Sequence, residues 1–485
     1  MPHVVTQSCC SDASCVYACP VNCIQPTPDD PAFATAEMLY VDPSTCVDCG
    51  ACVSACPVDA IKPHAKLAEH ELPFVKINAD YHATRRPRPP LAPAVPPLQI
   101  RARGERLRVA VVGSGPAAMY TADEILTIPG ARVSMFERLR VPYGLARHGV
   151  APDHQRTRRV SRQFDQIREQ AGLSLFLGVE VGRDVSHEEL LRRHHAVVYA
   201  VGASSDKRLE IPGIDLPGTA SATEFVAWYN GRPDQASRRF DLSHRRAVVI
   251  GNGNVALDVA RILTIDPESL AQTDIALRAL AELRKSNVEE VVVVARRGPG
   301  DSKFTLPELV GLSTRPGIEL TVSPDDLAAD RRDDPRLDVL RKLPQPAGRG
   351  RRITLKYNLA PTCVVGDLRV EATRFEHTKN GPPETIEAGL LMTSIGYRGR
   401  PVAGLPFDKK TATVPNDRGR IDPGTYVAGW IKRGPTGFIG TNKACARETV
   451  DALVEDFNSG RLTAPRTRAT ARVAQRRRQT MAEAA

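Results

Sequence analysis

No apolar run in the chain approaches the roughly 18 residues that a membrane-crossing helix needs, which excludes a transmembrane helix. The charged and apolar regions of a secretory signal are missing between Met1 and Pro20. The reading therefore predicts a reducing, cytoplasmic setting, where thiols serve metals rather than disulfides. Cysteine is nearly missing from the body: only Cys363 and Cys445 lie outside the N-terminal region, far apart and in no Cys-x2-Cys pair. That leaves no redox-active dithiol there and reads both as buried single thiols. Arginine is missing from the first 82 residues, where ten acids face three lysines. This head carries −7; the whole chain carries +10, so the remainder carries +17. Opposite signs favour docking of the head on the body or of the body on other acidic carriers; plain solvation of two surfaces accounts for the same charges. At 485 residues the chain exceeds one core, and two to four domains are predicted.

What is present begins with two cysteine runs that are offset copies. The second is Cys46-x2-Cys49-x2-Cys52-x3-Cys56-Pro57. Moved back by 37 residues, it lands on Cys9, Cys15, Cys19 and Pro20, with Asp12 in the remaining ligand position. This is the bacterial ferredoxin spacing, in which the cysteine before proline ligates the other cluster. Three thiolates on one tight loop reach three corners of a cubane, and the chain has turned away before the fourth. The reading assigns Cys19, Cys46, Cys49 and Cys52 to a [4Fe-4S] cluster. Cys9, Cys15 and Cys56, with Asp12 at the fourth corner, hold a second. That one is [3Fe-4S], or [4Fe-4S] with an oxygen ligand on its last iron. Cys10, one residue off the template, competes with Cys9; Cys23, also off it, reads as a nearby packed thiol. Zinc would need four ligands per site in separated pairs, which the interlocked spacing does not offer.

Two glycine turns follow. A short apolar strand, Arg108 to Val112, runs into Gly113-Ser114-Gly115-Pro116-Ala117-Ala118 and a helical pattern to Leu126. The first glycine allows the tight turn, the second admits a pyrophosphate, and the small third residue lets helix and strand pack closely. The phosphates lie against the helix N-terminus. The second strand, Arg132 to Phe136, ends in Glu137, whose carboxylate suits both hydroxyls of an unmodified ribose and repels a 2′-phosphate. FAD or NAD is indicated. The pattern recurs as Ala247 to Ile250, then Gly251-Asn252-Gly253-Asn254-Val255-Ala256 and a helix through Leu263. Its second strand, Glu290 to Val294, ends in Ala295-Arg296-Arg297, delayed by an insertion from Thr264 to Asn287. Guanidinium forks suit a 2′-phosphate, so this turn is read for NADP(H).

Acid at one turn and arginines at the other predict a resident FAD and a visiting NADPH. Strand-to-glycine turns at Val198 to Ala203 and Leu391 to Tyr397 read as the crossings between two domains, with the NADP domain inserted in the FAD domain. Tyr426 to Trp430 reads as a late strand reaching the flavin, and Thr436 to Gly440 as the start of a helix whose amides face the flavin ring.

On these residues the chain resembles known families. The segments VAVVGSGPAAMYTADEIL, PYGLARHGVAPDH, VIGNGNVALDVARIL, VVVARRGP, FTLPEL, TSIGYRG and VAGWIKRGPTGFIGTNK resemble ferredoxin–NADP(+) reductases of the adrenodoxin reductase type. Residues 1–80 resemble seven-iron-type bacterial ferredoxins, and the fusion resembles actinobacterial ferredoxin-fused reductases. The resemblance implies FAD contacts at Ala117, Glu137, Leu145, Val181, Trp430, Gly437, Phe438 and Ile439. It implies NADP contacts at Asn252 to Ala256, Arg296, Arg297 and Glu308, and places His154 and Glu308 as catalytic-site groups at the flavin–nicotinamide junction. Gln155 stands where proline often follows the histidine.

The fold class that follows is an α+β two-cluster ferredoxin domain (1–81) and a Pro/Arg linker (82–104), then an α/β flavoprotein with two dinucleotide-binding domains. The FAD domain takes 105–204 and 392–460, the NADP domain 205–391, and 461–485 is a basic, disordered tail. The linker, with Pro87, Pro89, Pro90, Pro93, Pro96 and Pro97, favours extended polyproline geometry. The implied activity is hydride transfer from NADPH to FAD, then single electrons to the clusters and to an external ferredoxin or cytochrome. No nucleic acid or membrane partner is indicated. An electron-input subunit like the glutamate synthase small chain has a similar layout but needs a catalytic partner. A redox sensor would not need intact nucleotide turns.

Overall fold

The computed structural model describes residues 2–83, 91–92, 95–101, 106–344, 348, 350–379 and 381–466. Residues 84–90, 93–94 and 102–105 of the Pro/Arg stretch, and residues 467–485 of the basic tail, lie outside them.

In the head, the two cysteine copies exchange strands. His3–Val5 runs antiparallel to Ile61–Pro63, and Ile24–Gln25 antiparallel to Tyr40–Val41. Under the 37-residue offset, His3 corresponds to Tyr40 and Ile24 to Ile61, so the first strand of each copy pairs with the second strand of the other. The backbone repeats as well. Ser11, Ala13 and Asn22 (φ 57°, 63° and 48°) match Asp48, Gly50 and Asp59 (φ 57°, 76° and 50°). Each left-handed Ala13 or Gly50 opens a five-residue helix, Ser14–Ala18 or Ala51–Ala55. Each helix stops at an extended cysteine, Cys19 or Cys56. That abrupt extension aims the last thiol of each run away from its own loop. Asn78, buried on helix Pro73–Tyr81, ties the copies together. Its Oδ1 accepts from the amides of Val5 (3.2 Å) and Val41 (2.8 Å), and its Nδ2 donates to the carbonyls of Val5 (2.9 Å) and Phe74 (2.8 Å). A buried amide with both ends satisfied fixes this geometry.

The chain divides into two compact units. One holds residues 1–94, 145–160 and 206–397; the other holds 95–144, 161–205 and 398–485. In the first, a six-stranded parallel sheet has the order Thr219–Ser221, Leu390–Thr393, Arg246–Ile250, Glu290–Val294, Arg351–Lys356, Ile318–Val322. Its valine-rich strands are buried on both faces, as parallel sheets require. Ala247, Val249, Val291 and Val293 pack with the helices on one face. The alternate residues Val248, Ile250, Val292 and Val294 pack under a three-stranded antiparallel sheet (Leu359–Val365, Ala372–His377, Glu384–Glu387) on the other. The Thr264–Asn287 insertion contributes helices Pro267–Leu270 and Leu277–Leu283.

The second unit carries its own six-stranded sheet, ordered Arg420–Asp422, Thr425–Val427, Ala196–Tyr199, Arg108–Val112, Arg132–Glu137, Leu173–Leu177. Only the first pair is antiparallel. Four of its strands precede the other sheet in the chain and two follow it. Helix Thr441–Asn458 packs on helix Pro116–Leu126. The stretch before the sheet lies along that same long helix: Pro96 and Gln99 carbonyls accept from Arg447 (2.5 Å) and Asn458 (2.9 Å). No helix among the described residues is long and apolar enough to cross a membrane.

Candidate functional site

The exchanged strands of the head bring the template thiols to two cavities. One is lined by Cys9, Cys15 and Cys56 with Cys10, Asp12 and apolar Val5, Leu39, Val58 and Ile61. The other is lined by Cys19, Cys46, Cys49 and Cys52 with Cys23. Amides point at the sulfurs: Leu39 to Cys9 (3.5 Å), Ala60 to Cys56 (3.3 Å) and Cys23 to Cys19 (3.3 Å). Burial pushes the Cys9 thiol up to about 11 and Cys52 up to about 12, and raises Cys15 as well. A hydrogen bond from Cys23, 3.4 Å away, instead brings Cys19 down to about 5. Convergent thiols in a dry pocket, with amides aimed at sulfur, fit an iron–sulfur group whose metal supplies the compensating charge. Asp12 lines the first cavity, yet its carboxylate caps the adjoining helix: Oδ1 accepts from the Ser14 amide (3.0 Å) and Oδ2 from its hydroxyl (2.7 Å). The cavities also differ in exposure. Cys15 is buried in the first, whereas Cys49 is exposed at the second, beside Val47 at 59% exposure.

The first glycine turn has the shape a pyrophosphate needs. Gly113 sits at φ 107°, and a Cβ there would lie 2.5 Å from the Ala200 carbonyl oxygen. Gly115 opens helix Pro116–Leu126 with no side-chain cap and no acid in the first turn, so the terminal amides stay available to an anion. Ala117 packs where Gly429 leaves room for it. Glu137 is buried at the end of its strand. Its Oε2 accepts from the Ser114 amide (3.1 Å) and hydroxyl (2.8 Å), and its Oε1 from the Leu139 amide (2.8 Å). Trp430 Nε1 donates to the Thr436 carbonyl (3.0 Å). Gly437, at φ 78°, turns the chain into Phe438 and Ile439. Their carbonyls accept from Asn442 Nδ2 (3.1 and 3.0 Å) at the start of helix Thr441–Asn458. Val181 bridges to Val185, and Leu145 is half-buried, its carbonyl accepting from the Gly149 amide (2.8 Å).

The second turn repeats the first. Gly251 sits at φ 114°, where a Cβ would collide with the Ser394 carbonyl, and Gly253 opens helix Asn254–Thr264 uncapped. Val255 is half-buried and Ala256 fully buried against the sheet. Asn252 accepts from the Lys303 amide (3.2 Å) through its carbonyl, and Asn254 Oδ1 from the Thr305 amide (2.8 Å). This pins the turn to helix Leu306–Ser313. Arg296 and Arg297 are exposed just beyond strand Glu290–Val294.

His154 and Glu308, far apart in sequence, come within 3.6 Å of each other. The group between them is Arg261, which the sequence reading passed over. Its buried guanidinium donates to Asp153 (2.8 Å), Asp258 (2.5 Å), Glu308 (2.7 Å) and His154 Nε2 (2.6 Å). Burial raises the Asp258 carboxyl to about 6 against the pull of Arg261, with Glu308 adding to the rise. Burial opposes ionisation of Asp153 too, but Arg261, His154 and Arg315 hold it well below the usual carboxylate range. His154, Asp258 and Glu308 lie close enough together to suit a cation, and the Arg261 guanidinium already serves them as one. Asp258 and Arg261 were detectable as charges at i, i+3 within the otherwise apolar run Val255 to Leu263.

Known proteins resemble this chain in both of its parts. A 4Fe-4S binding domain matches residues 39–62, and a pyridine nucleotide-disulphide oxidoreductase domain matches residues 107–298. Together they define an iron–sulfur flavoprotein oxidoreductase that works with a pyridine nucleotide. A probable ferredoxin/ferredoxin–NADP reductase of Mycobacterium tuberculosis is 57% identical, covering 96% of this chain and 85% of its own. One from Mycobacterium leprae is 54% identical, covering 96% and 88%. The solved structure of Mycobacterium tuberculosis FprA in complex with NADPH is 40% identical, with a TM-score of 0.71, over 77% of this chain and 89% of that one. The chain belongs to the ferredoxin/ferredoxin–NADP reductase family, NADP-linked flavoproteins of electron transport that carry a ferredoxin domain.

Proposed function

We propose that the Gly251 turn receives NADPH with its 2′-phosphate between Arg296 and Arg297, and that the Gly113 turn holds FAD with its ribose hydroxyls on Glu137. The bound flavin supplies hydride uptake and the head's clusters supply one-electron exchange; the chain supplies placement. Gly251, Asn252, Gly253, Asn254, Val255 and Ala256 cradle one pyrophosphate; Gly113, Gly115 and Ala117 cradle the other. Leu145, Val181, Trp430 and Gly437 to Ile439 shape the flavin's surroundings. His154 and Glu308, locked by Arg261, orient the nicotinamide. In the head, Cys19, Cys46, Cys49 and Cys52 hold a [4Fe-4S] cluster. The thiolates of Cys9, Cys15 and Cys56 hold the second, with Asp12 as a helix cap beside it, which favours [3Fe-4S]. The reaction is that of a ferredoxin–NADP(+) oxidoreductase serving an external ferredoxin or cytochrome in the cytoplasm. The division into 1–81, 82–104, 105–204, 205–391, 392–460 and 461–485 describes how the chain is organised for it.

One observation carries this reading: two matching glycine turns end their second strands in opposite charge, buried Glu137 at one and exposed Arg296 and Arg297 at the other. Each charge-assisted hydrogen bond contributes about 1.5–3 kcal/mol. Arg296→Ala with Arg297→Ala should therefore raise the KM for NADPH on the order of a hundredfold and barely move that for NADH. Equal changes for both nucleotides would refute the phosphate role.

A further inference from the structure

The acidic head has a built seat within its own unit. Glu37 of the head accepts a hydrogen bond from the Leu306 amide (2.7 Å), the first residue of helix Leu306–Ser313. A head carboxylate thus satisfies a helix end 269 positions away in the chain. One turn on, Gln7 Nε2 donates to Glu308 Oε2 (3.1 Å). The Gln7 amide lies over Gly311, where any Cβ would collide with it. A glycine inside a helix costs roughly 1 kcal/mol relative to alanine, and here it clears the space the head occupies. Around this contact, Arg156 pairs with Glu71 (2.9 Å), which also holds Lys62 (2.5 Å). Arg159 pairs with Asp59, and the Thr157 hydroxyl donates to the Ser8 carbonyl (3.4 Å).

These contacts share a side of the head. Gln7 and Ser8 precede Cys9, and Asp59 follows Val58, so they flank the Cys9/Cys15/Cys56 cavity. The rim of the other cavity is open: Val47 is 59% exposed and Cys49 is exposed. We propose that helix Leu306–Ser313 and the Arg156–Arg159 turn form a dedicated dock for the chain's own head. The head seats by the rim of its Cys9/Cys15/Cys56 cavity and leaves the Cys46–Cys52 loop as the face an external electron-carrier protein meets. The last clause rests on the proposed function; the dock itself does not.

Hydrogen–deuterium exchange of the full-length, cofactor-loaded protein tests this. Gly311→Leu, which drives a side chain into the head without touching a charge, should speed exchange at residues 6–9 and 58–60 and at the Leu306 amide roughly tenfold or more. Strand Glu290–Val294 and loop 46–50 should stay as in the wild type. Gly311→Ala should give the same pattern more weakly. Unchanged exchange at 6–9, or a change confined to loop 46–50, overturns the proposal. Should Gly311→Leu fail to fold, Arg156→Glu read in the same peptides decides with the same two outcomes. NADPH-driven ferricyanide reduction by the wild-type protein judges the proposed function separately, since its failure would leave the exchange result standing.

Discussion

The two glycine turns are nearly superposable in their local rules and opposite in the charge that closes their second strands. Gly113 and Gly251 hold φ of 107° and 114°. Gly115 and Gly253, both extended and uncapped, each open an 11-residue helix. Apart from the Thr264–Asn287 insertion beyond the second helix, what differs most is side chain. Glu137 closes one second strand and Arg296 and Arg297 the other; at the equivalent helix position, the first has buried Tyr120 and the second half-buried Asp258. On the proposed reading, backbone shape decides where a pyrophosphate lies, and a handful of side chains decide which nucleotide it belongs to and what sits beside it.

Breaking the shared part should have the largest effect. Gly251→Val puts a branched side chain at a left-handed φ and against the Ser394 carbonyl. Strain of roughly 3 kcal/mol or more should weaken NADPH binding by at least about a hundredfold. Flavin absorbance should persist, and Gly113→Val should do the reverse, yielding protein without flavin. Retained NADPH affinity in Gly251→Val would show that the turns are not equivalent cradles.

A smaller effect should separate the two helices by pH. The Asp258 carboxyl is raised to about 6 from an ordinary 3.8, so its stabilising contribution is complete below about pH 4 and is lost as pH rises through about 6. The charged or titratable groups coupled to it are Arg261, Asp153, His154 and Glu308, with Tyr229 and Tyr397 nearby. Relative to Asp258→Asn, the wild type should lose roughly 1–3 kcal/mol between pH 4 and 7, read from denaturant midpoints. A parallel pair of curves would mean that Asp258 is charged throughout. Asp153, held low, acts in the opposite sense and only as pH falls below the ordinary carboxylate value.

The smallest change sharpens the first turn. Glu137→Gln keeps an acceptor for the Ser114 hydroxyl but removes the charge. FAD affinity should fall about tenfold, near 1–1.5 kcal/mol, measured by flavin release on dilution. No change would make Glu137 a brace for Ser114 and nothing more.

The features readable from the sequence were those with a local cause. The glycine turns depend on φ and on a flanking strand, and both leave marks in consecutive residues. The 37-residue cysteine offset is likewise local, and it reappears as matched left-handed residues, Ser11 with Asp48 and Asn22 with Asp59. Family membership followed from these motifs and the comparisons bear it out. What escaped was tertiary. Arg261 matters because four groups from three separate segments converge on it, and only one of them, Asp258, is a sequence neighbour. The three-stranded sheet over Val248 and Val292 left no signal because both faces of a buried parallel strand look equally apolar. The pairing of Glu37 with Leu306 could not be read at all, since an acid near a helix end announces nothing about which helix.

The exchanged strands of the head carry a consequence for how the protein is made. Because His3–Val5 finds its partner only at Ile61–Pro63, a fragment ending before that point leaves this edge of the head open, although every template thiol through Cys56 is already in the chain. The strand that closes the head is thus made after all of these thiols, so the fold that gathers Cys9, Cys15 and Cys56 into one cavity is finished only once the last of them has left the ribosome.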